Sequence, residues 1–184
     1  MDALSTVDRL DPLKRLRGVP WGALAGLSEQ LWGGLAEVLA GRPAERALDR
    51  FLRAHRALAS PQRAAVAEAF FGVGLWRRRL RHALGLPDSA PASPPWLLFA
   101  LLRDLAGLSA EDAAAFTGVD KALAPPPRPP PVDLATAWSF PDWLSELLVR
   151  DWGSEAIDLA RALDVPGPIC VRANTLRIRR DRKS

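Results

Sequence analysis

Residues 51–80 read FLRAHRALASPQRAAVAEAFFGVGLWRRRL. Ser60 followed by Pro61 is a strong helix start, a hydroxyl cap before a residue that needs no amide partner. From there Val66, Phe70, Val73, Arg77, Leu80 and Leu84 recur at alternating steps of four and three, the pattern of one inward helical face. Phe71 and Leu75 widen that face, and the helix is predicted to run on towards Leu84 and Gly85. Gly72 and Gly74 each weaken its middle by roughly 1 kcal/mol relative to Ala, which is tolerated where a neighbouring helix crosses closely. Arg77 falls in line with the apolar stripe. A buried, unpaired guanidinium is costly, so Arg77 is predicted to meet a carboxylate or to point into a polar groove.

The same period extends in both directions. Upstream, Pro20 opens a pattern in which Leu24, Leu27, Leu31, Leu35 and Val38 share a face, and Gly41 stops it. Pro43 restarts a helix with Ala47, Leu48, Phe51, Leu52 and His55 inward. Downstream, 86–95 reads as a loop rich in Pro, Ser and Ala. Trp96 to Leu105 is a short helix apolar on most sides. Ser109 caps the next, with Asp112 at the capping-box position. The segment 124–132 holds six prolines and one Arg and is predicted to be an extended spacer. Asp133 caps a short turn through Trp138, and Pro141 begins a helix carrying Trp143, Leu144, Leu147 and Leu148. Trp143 is expected to plug the junction between the two helical groups. Ser154 is expected to cap a last helix, with Ile157, Ala160 and Leu163 inward.

After Pro166-Gly167-Pro168 the period changes to two. Ile169, Val171 and Ala173 alternate with Cys170, Arg172 and Asn174, a strand pattern. No second strand is legible to pair with it, so its backbone groups are left to water or a neighbouring chain. The segment from about Pro168 is therefore expected to be extended and readily clipped.

The 184 residues suffice for one domain with a sizeable core and a small appendage. Apolar residues make up 48% and charged residues 25%, which is globular rather than disordered composition. The net charge of +4 permits a polyanionic partner without demanding one. The single cysteine, Cys170, rules out a disulfide framework or a cysteine-rich metal centre. His55 and His82 show no ligand spacing, so no metal residues are assigned. Asp2, Asp8 and Asp11 do not suit a secretory leader, and the run Trp96 to Leu102 is too short to span a bilayer. A cytoplasmic location without a membrane partner is expected.

No Gly-rich phosphate loop, metal-ligand cluster or nucleophile–histidine pair is visible. The densest basic cluster is Arg77, Arg78, Arg79 and Arg81, with His82. It serves either as favourable charge near a helix C-terminus or as a set of phosphate contacts.

Three stretches, in order, resemble one family. Phe71-Gly72-Val73 ahead of Arg77 and Arg78 is similar to the "YGV-x-R-R" helix end of the NusB-like domain in the RsmB, Sun and NOP class of RNA methyltransferases. SFPDWLSELL (139–148) resembles that family's "s-x-P-x-W-L" helix. VRANTLR (171–177) is close to its "R-V-N-T-L-K" strand and is the most specific of the three. The resemblance implies an all-α fold: a NusB-like helical bundle over 20–123, after a poorly ordered 1–19. The Pro-rich linker 124–132 follows, and 133–184 then holds a small helical segment, one C-terminal strand and the truncated start of the methyltransferase subdomain.

The family transfers a methyl group from S-adenosylmethionine to C5 of a cytosine in RNA, commonly ribosomal RNA. Its two catalytic cysteines and its cofactor loop lie in a downstream domain. This chain has no "P-C-S-G", "T-C-S" or "A-P-G-G-K-T" motif, and Cys170 matches neither cysteine. The resemblance therefore implies an RNA-binding accessory domain for an rRNA cytosine-5 methyltransferase, inactive alone and without its own cofactor, with the catalytic domain as partner in cis. Candidate RNA contacts are Arg77, Arg78, Arg79, Arg81, Arg172, Asn174 and Arg177; no catalytic or cofactor-binding residue is assigned. The other reading is a free-standing NusB-like module that binds RNA or protein with no link to methylation.

Overall fold

In the structure, a computed structural model that describes residues 12–87, 90–91 and 93–164, helices follow one another with short connections. They are α1 (Pro12–Arg17), α2 (Ser28–Leu39), α3 (Ala44–Ala54), α4 (Ser60–Leu75), α5 (Arg77–Ala83), α6 (Pro94–Ala100), α7 (Ala110–Thr117), α8 (Leu134–Ala137), α9 (Asp142–Trp152) and α10 (Ala156–Leu163). The described residues are helical or irregular, with no strand among them. The predicted strand from Ile169 lies outside the described residues, as do 1–11 of the stretch 1–19 expected to be poorly ordered; its remainder holds α1, whose Leu16 is buried in the core.

The core forms where α2, α3, α4 and α6 meet. Val66, Phe70 and Val73 of α4 are fully buried, as the step-four, step-three pattern requires. α6 is apolar on every side, and Leu97 to Ala100 are fully buried with Leu101 and Leu102 beyond it. A helix hydrophobic all round belongs in the middle of a bundle. It runs straight into a π-helical turn, Leu101–Leu105, in which the Ala106 N–H donates to the Leu101 carbonyl at 2.9 Å. Gly72 lets α4 lie against this element: a Cβ there would sit 2.7 Å from Leu101 Cδ2. The expected close helix crossing is present.

Two of the expected caps form as the sequence predicts. Ser109 Oγ accepts the Asp112 N–H at 3.0 Å and Asp133 Oδ1 accepts that of Thr136 at 2.7 Å. At α4, however, the cap is Ala59, whose N–H donates to Gln62 Oε1 at 2.9 Å, and Ser60 already lies inside the first turn. The Pro20 pattern is also divided. Leu24, Leu27, Leu31, Leu35 and Val38 are all buried, but a 3-10 turn, Trp21–Leu24, precedes α2. The break falls at Gly26, whose φ of +75° an L-residue rarely adopts.

Three expectations of packing are corrected. The helix from Ser60 does not run unbroken to Leu84; Trp76, at φ −96° and ψ 15°, separates α4 from α5. Across the break Leu80 and Leu84 are buried as the pattern predicts, but Trp76 turns inward, while Arg77 and Leu75 are exposed. Trp143 does not plug the junction: it is 65% exposed, because α9 buries Leu148, with Leu144 and Leu147 half-buried beside it. Trp138 takes that place, its ring centroid 6.2 Å from that of Trp76. In α10 the inward residues are Ala156 and Ala160, and Ile157 and Leu163 are exposed. A further 3-10 turn, Gly153–Glu155, precedes α10 and shifts its register, and Ser154 forms no cap.

Candidate nucleic-acid interface

α5 carries the basic cluster, and the break at Trp76 decides where each guanidinium points. Arg77 is exposed, and its Nη1 donates to the Leu39 carbonyl at the end of α2, at 3.0 Å. Arg78 reaches across to the C-terminal helices, where Nη1 donates to Asp142 Oδ1 at 2.6 Å and to the Phe140 carbonyl at 3.2 Å. Arg79 Nη1 donates to the Ala137 carbonyl at 3.1 Å, its backbone N–H donates to Ser139 Oγ at 3.0 Å, and its guanidinium lies 5.6 Å from the Trp76 ring centroid. Arg81 is the buried one, at 3% exposure. Its Nη2 donates to the Pro87 carbonyl at 2.6 Å and also to that of Ala90.

The buried guanidinium of this helix is therefore Arg81 and not Arg77; its Nη2 donates to carbonyls rather than to a carboxylate, and its Nε is buried without a hydrogen-bond partner. Charged donors on backbone carbonyls form strong bonds, so α5 fastens Pro87, Ala90, α8 and the start of α9 to the bundle. Arg172, Asn174 and Arg177 lie outside the described residues.

The Pro-rich segment is held along the same side. Arg103 Nη1 donates to the Pro125 carbonyl at 2.7 Å, and His82 Nε2 lies 3.2 Å from the Pro129 carbonyl. Arg128 sits over Gly85, where a Cβ would come within 2.7 Å of its Nη2. A polar pocket of about 330 Å³ opens there, lined by Arg78, His82, Arg128 and Thr136 among others. A larger groove of about 410 Å³ lies between Pro130–Val132, α8 and the α9–α10 junction, with Arg79 and Trp138 in its lining.

Sequence reading misses two features. Arg103 and Asp104 form a nearly buried ion pair, although the sequence pattern places acidic residues on polar helix faces. Nothing in the spacing of adjacent residues announces such a pair. A legible signal exists for the other: Arg42, Arg46, Arg50 and Arg53 recur at helical steps and form an exposed basic edge at α3. Glu37 pairs with Arg42 and Arg50, and Asp49 with Arg53, each at 2.8 Å. Among the described residues no group of His, Cys, Asp and Glu could hold a metal ion. Nor is any described helix long and apolar enough to cross a membrane.

At the end of α10, burial pushes the Asp164 carboxyl up to about 6, against the opposing pull of the Arg79 charge. The folded value lies above the unfolded value of about 3.9. The folded chain therefore binds the extra proton between about pH 4 and 6, and stability falls as pH rises through that window. The group is close to half exposed, so solvent screening keeps the effect below about 1 kcal/mol. Asp164→Asn is expected to raise Tm at pH 7 by roughly 2 °C and to flatten this part of the profile. Melts at pH 4, 5, 6 and 7 test it; an unchanged pH profile in the variant counts against a raised Asp164.

Residues 140–183 match the family model described as Methyltr_RsmF/B-like, ferredoxin-like domain. No curated protein and no solved structure matches the chain. The matched stretch takes in α9 and α10 and continues through residues outside the described set. It supports kinship with the RsmB and Sun methyltransferases through this C-terminal part of the chain.

Proposed function

We propose that this chain is an RNA-binding accessory region of an S-adenosylmethionine-dependent rRNA cytosine-5 methyltransferase, with a NusB-like bundle over 20–123. The carrying observation is the match over residues 140–183. The helical bundle that precedes it and the fastening of α8 and α9 to α5 are in keeping with a module that presents a second domain in fixed relation to RNA. Methyl transfer and cofactor binding are assigned to the family's downstream domain, and this chain alone transfers no methyl group.

The RNA contacts proposed are the α5 arginines with Arg172, Asn174 and Arg177. Arg78, Arg79 and Arg81 also carry the fold, so Arg77 is the member of the cluster best suited to a test. Fluorescence anisotropy with a labelled ribosomal hairpin is expected to show affinity falling steeply with added salt. Arg77→Glu combined with Arg177→Glu should weaken binding to unrelated sequences alike, because phosphate contacts carry no base information. Removing each phosphate-binding arginine should lower the salt slope by about 1. Unchanged affinity and slope in a variant with wild-type Tm would overturn the RNA assignment and favour a purely structural role for α5.

A further inference from the structure

The Pro-rich segment carries a single charge. Arg128 stands between Pro125–Pro127 and Pro129–Pro131. The flanking prolines offer no backbone donor and hold an extended course with little freedom. The strap is tied to the bundle on either side of the arginine, by Arg103 Nη1 at the Pro125 carbonyl and by His82 Nε2 at the Pro129 carbonyl. Arg128 itself is exposed and makes no hydrogen bond or ion pair among the described residues. We propose that Arg128, with the charge of Arg78 beside it, grips a backbone phosphate of RNA in the polar pocket next to Gly85. The proposal rests on the RNA-binding reading above and gives it a contact residue outside α5.

Three observations carry it. First, the guanidinium has a fixed place. It lies over Gly85, whose missing side chain leaves the room: a Cβ there would be 2.7 Å from Nη2 and 3.0 Å from Cζ. The carbonyl end of α5 attracts a cation to this spot but takes none of its N–H donors. Second, the charge of the pocket is one-sided. Its lining includes Arg78, His82, Arg128 and Thr136 and no carboxylate. The carboxylates that touch these residues are engaged already, Asp142 by Arg78 and Asp133 by the Thr136 N–H. Asp104 lines a smaller cleft together with Arg128, and Arg103 holds both its oxygens. Third, a planar fork with unused donors on a stiff strap can take two phosphate oxygens at once with little ordering of the chain. Arg78, bonded to Asp142, contributes charge, and His82, facing Pro129, positions the strap. Phosphate on RNA is favoured over phosphate on a peptide because the matched family model is that of a methyltransferase domain.

Arg128→Ala in the full chain should bind the labelled ribosomal hairpin roughly tenfold more weakly at low salt and lose about 1 from the salt slope. Its Tm should be that of the parent. Arg128→Lys should regain the slope but only part of the affinity, because the charge returns without the fork. In the parent, the hairpin should shift the Arg128 Nε–H resonance. If the hairpin binds parent and Arg128→Ala alike, this site is wrong while the RNA reading stands. If the parent does not bind the hairpin, both fall. An Nε–H shift with a phosphoserine peptide and none with the hairpin gives the pocket to a protein partner and overturns the proposal. A clear loss of Tm in Arg128→Ala also overturns it, because the arginine is then tied within the chain.

Discussion

Arg103→Ala is expected to destabilise the protein by about 3–5 kcal/mol, the range for removing one partner of a buried ion pair. The side chains of Arg103 and Asp104 are 7% and 15% exposed. The guanidinium meets the carboxylate edge-on through two bonds, Nε to Oδ1 and Nη2 to Oδ2, both 2.8 Å. Its remaining amine donates to the Pro125 carbonyl at 2.7 Å, and its plane lies 4.9 Å from the Phe99 ring centroid. Truncation strands a carboxylate in a poorly solvated site and unties the first residue of the Pro-rich run. Urea melts should show the loss, and Tm should fall by roughly 10 °C.

Arg103→Lys keeps the charge but not the planar fork, and should lose less. The double change Arg103→Met with Asp104→Leu removes both charges together and should stay within about 1–2 kcal/mol of the parent. If Arg103→Ala itself melts within about 1 kcal/mol of the parent, the pair is solvated and does not hold the segment.

How much of the fold is legible in the sequence depends on the kind of signal. The helices come through because burial repeats every three or four residues: the spacing of Leu24 to Val38 and of Val66 to Val73 predicts burial, and these residues are buried. Side-chain placement fails wherever the phase slips. Trp76 leaves helical geometry and takes the inward place that the spacing gives to Arg77, while Leu80 and Leu84 keep theirs and Arg81 is buried beside them. The 3-10 turn at Gly153 does the same to Ile157 and Ala156. Local sequence does not encode such slips, because they are set by which neighbour a bulky ring can reach, here Trp76 against Trp138.

The basic cluster shows the same limit for function. Four arginines within five residues read as charge offered to solvent. Their partners, the carbonyls of Leu39, Ala137, Phe140, Pro87 and Ala90, stand up to 62 positions away. Composition cannot separate a guanidinium that binds phosphate from one that ties two segments together, since the donors are the same. The resemblance at 171–177 and the match over 140–183 meet in residues outside the described set, so the proposed RNA partner rests on similarity there, while the α5 arginines are tied within the chain.

Phe70→Ala should cost about 3–5 kcal/mol, as for a fully buried ring whose cavity cannot collapse. Phe70 is fully buried, its ring centroid is 5.6 Å from that of Phe51, and its edge faces Gly34 of α2. A Cβ on Gly34 would lie 2.5 Å from Phe70 Cζ and 2.8 Å from Cε1. The absence of a side chain at 34 is thus what lets α2 approach α4 over this ring. Gly34→Ala gains about 1 kcal/mol of helix propensity but forces the ring into overpacking worth about 1–3 kcal/mol, so the net change is destabilising. Gly33, one residue earlier and exposed, has nothing within 4 Å of a built Cβ. Gly33→Ala should therefore stabilise by up to about 1 kcal/mol, giving adjacent substitutions of opposite sign. Phe70→Leu shortens the side chain just where the new methyl would strike. Gly34→Ala combined with Phe70→Leu should cost less than the sum of the two singles, with a coupling of about 0.5–3 kcal/mol. Strict additivity would mean that the two helices separate on substitution instead of clashing, and that the Gly34–Phe70 contact does not set their spacing.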